Sequence, residues 1–293
     1  MKSKLILEIA KNEQYLIDSR ELFSIKFSTS DKFKNDKILL KNDDYYIILD
    51  GIILNKKQLL TENNSSNWTE LIVELYEKLG RDFFKTLKGS YFGFVFNKKE
   101  NTWDIFNDHI GTKQLFYFEN ENAFFISNDY TDLAKYLKSK QIKVSLNENA
   151  AYLILTYGFV FEDVTITNEI KKLLVGHSIK IDNAKLSTSK FFQLSNNPIS
   201  VSEDEAIELL DQKFRESVKL AFEKDKEYDY EHVACLSGGL DSRMTVYVAH
   251  ELGYTKQLNL TFSQSDYLDE TIAKKIARDL KHEWIFKCLD NGT

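Results

Sequence analysis

A six-residue segment, Ser237-Gly238-Gly239-Leu240-Asp241-Ser242, carries the residue types that bind phosphate groups. Two glycines let the backbone turn tightly and approach a ligand without a Cβ atom in the way, and two serines add hydroxyl donors. The residues before it, His232–Leu236, have the pattern of a buried strand, and those after it, Ser242–Leu252, that of a helix. Because a helix N-terminus presents free N–H groups and a partial positive charge, the segment predicts a cradle for phosphate or pyrophosphate.

Asp241 within this segment would repel a phosphate if it acted alone. A bridging Mg²⁺ takes carboxylate and phosphate oxygens together, so we expect Asp241 to be a metal ligand. The alternative is an ordinary strand–helix turn that uses Ser and Gly only for its geometry. The complete six-residue string between a strand and a helix favours the phosphate site, although it matches neither the Walker A loop nor G-x-G-x-x-G.

The composition excludes several other functions. The 293 residues contain 39 Lys+Arg and 45 Asp+Glu, a net charge of −6, which gives no basic surface for nucleic acid. The longest apolar-leaning run, Ala150–Phe161, is shorter than the ~20 residues of a membrane span, and the apolar stretch Leu5–Leu7 is too short for the core of a signal peptide. Cys235 and Cys288 lie far apart in apolar runs, which predicts buried, reduced thiols. We therefore expect a cytoplasmic protein without membrane partners.

The elements that must position the segment fall into two regions. Residues 1–195 show short, aromatic-rich strand patterns and a few helices, including strands at Tyr45–Leu49 and Ile52–Leu54 about an Asp50-Gly51 turn. After a linker at the only proline, Ser202 and Glu205 form a capping box that starts a helix. The expected buried face of that helix consists of Ile207, Leu210, Phe214, Val218 and Ala221.

Residues 196–293 alternate strands with helices. Strand patterns at His232–Leu236, Gln257–Phe262 and Glu283–Leu289 enclose helix patterns at Ser242–Leu252 and Leu268–Leu280. This alternation implies right-handed crossovers and a parallel sheet. The sequence thus predicts two domains, residues 1–195 and 196–293.

The order of the motifs resembles that of the asparagine synthetase family, in which a pyrophosphate-loop domain follows a glutamine amidotransferase domain. Ser237–Ser242 is similar to the pyrophosphate loop of ATP pyrophosphatases. The other similar segments, each of low specificity alone, are Asp50–Asn55, Leu87–Phe94, Asn107–Tyr117, Phe125–Asp129 and Ile170–His177. Their shared order, ending in the six-residue loop, is what makes the resemblance specific.

The resemblance implies an N-terminal nucleophile (Ntn)-type αββα sandwich over residues 1–195. The start of a parallel-sheet α/β domain of the adenine nucleotide α-hydrolase type follows over residues 196–293. It places ATP contacts on Leu236, Ser237, Gly238, Gly239, Leu240, Asp241 and Ser242, and backbone contacts to adenine on Phe262. The implied cofactors are ATP and Mg²⁺. The implied reaction is ligation: a small-molecule or peptide carboxylate is activated as acyl-AMP, pyrophosphate leaves, and ammonia or an amine captures the acyl group.

Two departures from the family concern glutamine hydrolysis. The family's nucleophile is a cysteine at the position that Lys2 holds here, and the acid of its N-G-E glutamine-pocket motif is replaced by Ile52. A glutaminase fold without glutaminase activity is therefore expected. A specialised amide ligase, as in the family's β-lactam synthetases and lasso-peptide cyclases, is preferred over a glutamine-dependent asparagine synthetase.

A hypothesis of another class is a non-catalytic or split-enzyme fragment. The family's second ATP and Mg²⁺ motif follows the third parallel strand, so a second chain supplying the missing C-terminal part is an additional expected partner. A sheet that stops after three parallel strands would expose apolar surface on one face.

Asp269 and Glu270 are expected to act as first-turn acids that complement a helix dipole. Three roles remain open for Arg243: an ion pair with phosphate, an ion pair with Asp266 or Glu270, or exposure to solvent without a partner.

Overall fold

The computed structural model describes residues 3–12 and 22–290 of the chain. The chain divides into two compact units, Met1–Ser195 and Asn196–Thr293. Within the described residues, no helix combines the length and the apolar character that crossing a bilayer requires.

The first unit contains eleven strands and four α-helices within its described residues. The strands are β1 (Lys4–Ala10), β2 (Phe23–Ser28), β3 (Ile38–Lys41), β4 (Tyr45–Ile53), β5 (Gly89–Asn97), β6 (Thr102–Asn107), β7 (Phe116–Glu119), β8 (Ala123–Ser127), β9 (Lys171–Lys172), β10 (His177–Asp182) and β11 (Lys185–Lys190). The helices are α1 (Lys56–Glu62), α2 (Trp68–Leu79), α3 (Tyr130–Ser139) and α4 (Glu148–Tyr157).

These strands form two antiparallel sheets that pack face to face. One sheet has the order β2-β1-β8-β7-β9 and the other the order β11-β10-β6-β5-β4-β3. Apolar side chains of β1 and β8 fill the space between the sheets together with those of β4, β5, β6 and β10. The outer face of the first sheet packs on α3, and the outer face of the second packs on α1 and α2. The four layers confirm the expected αββα sandwich.

The region around Asp50 and Gly51 differs from the sequence prediction. Instead of two strands about a turn, β4 runs without interruption from Tyr45 to Ile53 and pairs with β5 along its whole length. Gly51 adopts a φ of 145°, and a Cβ atom there would lie 2.2 Å from the Ser90 carbonyl oxygen. Glycine at this position permits close strand pairing rather than a reversal of the chain.

The second unit begins with a long helix and continues as a parallel α/β layer. Its elements are α5 (Glu203–Glu227), β12 (His232–Cys235), α6 (Leu240–Glu251), β13 (Gln257–Ser263), α7 (Leu268–Leu280) and β14 (Glu283–Cys288). The strands pair in parallel in the order β12-β13-β14, which confirms the predicted sheet. The capping box is also present, with Ser202 and Glu205 bonding each other's backbone N–H groups.

Helices α6 and α7 cover one face of the parallel sheet, and its other face remains exposed. The covered face contributes Leu236, which packs with Val246 of α6 and Ala273 of α7. On the other face, Val233 is 54% exposed, Phe262 63% and Ile285 52%. Cys235 shares that face, and both Cys235 and Cys288 are exposed, so the prediction of buried thiols was wrong.

Helix α5 buries a smaller face than its pattern predicts. Val218 and Phe222, in its second half, pack against α6. Ile207 and Leu210, in its first half, are 57% and 71% exposed. Periodicity indicates which side of a helix is apolar, but the partner α6 reaches only the second half of α5.

The covered face of β13 is polar, and it anchors a pair of histidines. Gln257, Asn259, Thr261 and Ser263 are all buried on this face. The Oδ1 atom of Asn259 lies 3.0 Å from Nδ1 of His282, whose Nε2 lies 2.9 Å from Nδ1 of His250. Because the Asn259 oxygen only accepts, His282 donates to it from Nδ1, and a neutral His282 accepts from His250 through Nε2. Burial and the adjacent His250 lower the pKa of His282.

Replacing Gly51 with alanine is expected to destabilise the first unit strongly. The left-handed region costs a non-glycine residue about 1–2 kcal/mol, and the contact with Ser90 adds an overpacking cost of about 1–3 kcal/mol. Gly158 is a matched control, since its φ is 80° and no atom lies within 4 Å of an added Cβ. Denaturant unfolding should therefore show a larger loss of stability for Gly51→Ala than for Gly158→Ala; equal losses would contradict the close pairing of β4 with β5.

The histidine pair is expected to make the second unit less stable below pH 6.5. A pKa that is lower in the folded state means that the unfolded state binds more protons, so stability is complete above the unfolded pKa of about 6.5. It is lost as the pH falls below that value. Unfolding free energies measured from pH 7.5 to pH 5 should fall less in His282→Gln than in the unsubstituted chain, and identical slopes would contradict the assignment.

Candidate functional site

The loop after β12 begins at a fixed point on the sheet. Leu236 is 1% exposed, and its N–H donates to the carbonyl oxygen of Leu260 at 2.9 Å. Its own carbonyl oxygen accepts from the hydroxyl of Thr261 at 2.7 Å. The end of β12 is therefore held by β13 through both of its backbone groups.

The segment Ser237–Ser242 ends in a helix N-terminus that no side chain caps. Helix α6 starts at Leu240, and Gly239 at the N-cap position has no side chain to offer. Within the residues that the structure describes, no side chain accepts from the N–H groups of Leu240, Asp241 or Ser242. These three donors, with the positive end of the helix dipole, are available to an anion.

The preceding N–H groups of the loop have acceptors inside the protein. The Ser242 hydroxyl accepts from the N–H of Ser237 at 3.0 Å and lies 2.8 Å from the Ser237 hydroxyl. The Ser237 hydroxyl accepts from the N–H of Gly239 at 3.2 Å. The two serines thus order the loop around the start of α6.

Asp269, in the first turn of α7, contacts the loop from a different element. Its Oδ1 atom accepts from the N–H of Gly238 at 2.7 Å. The neighbouring Glu270 turns the other way and accepts from the N–H of Asp266 at 2.7 Å. Both acids lie in the first turn of α7, as expected, and Asp269 in addition binds the glycine loop.

The remaining residues predicted to contact ATP include Asp241 and Phe262, and Arg243, whose role the sequence left open, follows Asp241 in α6. Asp241 is exposed in the first turn of α6. Arg243 donates from Nε to the carbonyl oxygen of Gly239 at 3.1 Å. Phe262 lies near the end of β13, two residues beyond Leu260, where the pairing with β12 ends. Since the strands are parallel, all of these residues lie at the carboxyl edge of the sheet, where ligands bind in open α/β folds.

A second polar cluster, in the first unit, surrounds Asp50. The carboxylate of Asp50 is 1% exposed. It accepts from the hydroxyl of Thr29 and lies 3.4 Å from the ammonium of Lys37. Lys37 also donates to the Thr29 hydroxyl at 2.7 Å and to the Ser30 carbonyl at 2.6 Å. The Ser3 hydroxyl, at the start of β1, lies 3.1 Å from that of Thr29.

Asp108, in the segment Asn107–Tyr117, orders its own loop. Its buried carboxylate accepts from the N–H of Thr112 at 2.9 Å and from that of Lys113 at 3.0 Å. The Thr112 hydroxyl donates to the same carboxylate at 2.6 Å. This part of the family-like pattern serves the fold.

Residues 29–192, more than half of the chain, match a family model described as a glutamine amidotransferase domain. The chain belongs to this family. Its domain is of the type found at the N-terminus of asparagine synthetases, because the curated relatives also match over most of this chain.

The relatives are asparagine synthetases named as glutamine-hydrolysing. A putative asparagine synthetase 2 of Methanocaldococcus jannaschii is 29% identical over 86% of this chain and 51% of its own length. Asparagine synthetase 1 of Bacillus subtilis is 24% identical over 85% of this chain and 40% of its own. Asparagine synthetase 2 of B. subtilis is 25% identical over 92% and 38%. The chain thus spans about half, or less, of the length of these relatives.

Two solved structures align with most of this chain at low similarity. Glutamine phosphoribosylpyrophosphate amidotransferase from B. subtilis, complexed with ADP and GMP, aligns over 97% of this chain and 84% of its own, with 11% identity and a TM-score of 0.37. A second structure, an allosteric regulatory enzyme of purine biosynthesis, covers 97% of this chain and 74% of its own, with 10% identity and a TM-score of 0.38.

Some residues of the two polar sites were predicted from the sequence and others were not. Lys2, where the family has its nucleophile, lies outside the described residues. Ile52 is in β4 and pairs with Ser90. Lys37 and Asp269 were not identified as site residues. Asp269 was identifiable, because residues that follow neighbouring parallel strands meet at one edge; Lys37 had no comparable indication.

Proposed function

We propose that this chain binds Mg-ATP at Ser237–Ser242 and belongs to an ATP-dependent ligase that activates a carboxylate as an acyl-AMP. Pyrophosphate leaves, and ammonia or an amine then captures the acyl group. The observation that supports this most directly is the uncapped start of α6 beside an internally ordered Ser-Gly-Gly loop. The likeness to asparagine synthetases supports the reaction class.

The loop geometry is suited to a polyphosphate. The N–H groups of Leu240, Asp241 and Ser242 lie in one helical turn, as in other anion sites at helix N-termini. The serine hydroxyls, which can donate or accept, stand 2.8 Å apart at the base of the loop. Charge that develops on the α-phosphate during adenylation would be stabilised by fixed donors of this kind.

The donor set also fits a magnesium ion. Mg²⁺ in nucleotide sites is commonly held by one or two carboxylates plus phosphate oxygens, and Asp241 presents an exposed carboxylate in the same turn as the free N–H groups. When bound, Mg²⁺ would neutralise phosphate charge. The residues of the chain would hold the nucleotide and orient its phosphates, with Phe262 at the sheet edge near the expected adenine.

The amidotransferase domain itself is proposed to lack glutaminase activity. Ile52 cannot bind the polar end of glutamine as the family's acid does. The buried Asp50 carboxylate is already engaged by Lys37 and Thr29. The ligase would then take free ammonia or a substrate amine as its nitrogen donor.

Mg-ATP binding should depend on Asp241. Asp241→Ala removes the proposed metal ligand, so calorimetry should show at least about tenfold weaker binding of Mg-ATP and a smaller effect of Mg²⁺ on ATP affinity. Asp279→Ala is the matched control, since Asp279 is an exposed aspartate at the C-terminal end of α7, away from the proposed site. No ATP binding by the unsubstituted chain, or equal binding by both variants, would contradict the proposed site.

Adenylation is tested separately by ATP–[³²P]pyrophosphate exchange with a panel of carboxylates. Exchange that Asp241→Ala abolishes would support the ligase reaction. ATP binding without exchange would instead favour the hypothesis that a further chain is needed to complete the reaction.

Glutamine hydrolysis should be absent. Incubation with glutamine should release no glutamate above the buffer control, because the expected nucleophile and acid are both replaced. Glutamate release that is lost in Asp50→Asn would overturn this part of the proposal, whereas release that persists at the same rate in that variant would come from a contaminating enzyme.

A further inference from the structure

We infer that Asp269 is a positioning residue for the pyrophosphate loop, holding Gly238 so that the start of α6 faces the nucleotide. This inference rests on the proposed ATP site and assigns it a residue from a different element. Asp269 would not touch ATP; it would act through the backbone of Gly238.

The contact between Asp269 and Gly238 is direct and closely packed. Asp269 Oδ1 accepts from the Gly238 N–H at 2.7 Å, the length expected when the acceptor is charged. A Cβ atom on Gly238 would lie 3.0 Å from the Leu268 carbonyl oxygen and 3.1 Å from Asp269 Oδ1. A side chain at position 238 would therefore press against the first turn of α7, which glycine avoids.

This bond differs from the others that order the loop. The N–H groups of Ser237 and Gly239 are satisfied by Ser242 and Ser237, which belong to the loop itself or to the first turn of α6. Asp269 lies in α7, which follows β13, so its hydrogen bond connects the loop to a different helix. The position of Gly238 thus depends on how α7 packs on the sheet.

The opposite role, a carboxylate that occupies the phosphate position and blocks it, is less compatible with the geometry. Asp269 accepts from Gly238, whereas the donors available to an anion belong to Leu240, Asp241 and Ser242. The close packing of Gly238 on the start of α7 also leaves no room for a phosphate between them. A positioning role follows, because the bond fixes the loop without using the free donors.

Two substitutions at Asp269 separate these roles. Asparagine keeps an oxygen that can accept from Gly238, whereas alanine removes the acceptor and leaves a backbone donor unpaired. For positioning, calorimetry with Mg-ATP should give dissociation constants within about threefold of the unsubstituted chain for Asp269→Asn, and about tenfold weaker for Asp269→Ala. Binding to Asp269→Ala that is equal or tighter would overturn the inference.

A readout without nucleotide tests the bond itself. Amide hydrogen exchange at Gly238 should be about tenfold faster in Asp269→Ala than in the unsubstituted chain and close to normal in Asp269→Asn. Glu270→Ala is the matched control, because it removes the neighbouring acid and its bond to Asp266 without touching the loop. It should leave both Gly238 exchange and Mg-ATP binding unchanged. An equal effect of Glu270→Ala would mean that any acid in the first turn of α7 has the same influence, which would overturn the inference.

The two arms also separate this inference from the proposed function. If the unsubstituted chain binds no Mg-ATP, the proposed function fails. Exchange at Gly238 then still decides whether Asp269 orders the loop: acceleration in Asp269→Ala alone supports that ordering, and unchanged exchange overturns it.

Discussion

The parallel pairing of β12 with β13 is the constraint on which the nucleotide loop depends. Parallel strands end at the same edge of a sheet, so the residues that follow β12 and β13 meet there. Leu236 is fixed at that edge by backbone and side-chain bonds to β13. From this fixed point Ser237–Gly239 turn into α6, while α7 begins beside them and brings Asp269 to Gly238. A shift in strand register would move both partners and separate them.

The polar residues of β13 contribute to that register. Thr261 donates to the Leu236 carbonyl and accepts from the indole N–H of Trp284 at 2.9 Å, so one side chain connects three strands. Asn259, two residues before Thr261 on the same face of β13, accepts from His282. Buried polar groups are costly when they lack partners, so a displaced register would be penalised. An apolar strand would pack as well but would tolerate sliding more easily.

Local pattern predicted the elements of this protein better than it predicted their partners. The start of α5 followed from its capping box at Ser202 and Glu205. The αββα layering followed from the order of the family-like motifs, which periodicity alone does not supply. The continuity of β4 was missed because Asp-Gly usually marks a turn. What engages Asp50 is Thr29 and Lys37, which lie 21 and 13 positions earlier in the chain. The exposure of Cys235 and Ile207 was missed for a related reason, since an apolar pattern does not say whether a covering element is present.

The two polar sites differ in whether their own groups satisfy one another, and this difference bears on where ligand chemistry resides. At Asp50 the buried charge has a cation and a hydroxyl within the domain. Removing one member of such a pair is strongly destabilising, which is typical of a structural network. At the start of α6 the positive end of a helix is left without a side-chain cap, although Ser, Asn or Asp at the N-cap would stabilise the helix by about a few tenths of a kcal/mol more than glycine does. Gly239 gives up that stabilisation and leaves the donors open. A cap would place an oxygen where an anion is proposed to bind. The small loss of helix stability at Gly239 is therefore what keeps the N–H groups at the start of α6 available to a ligand.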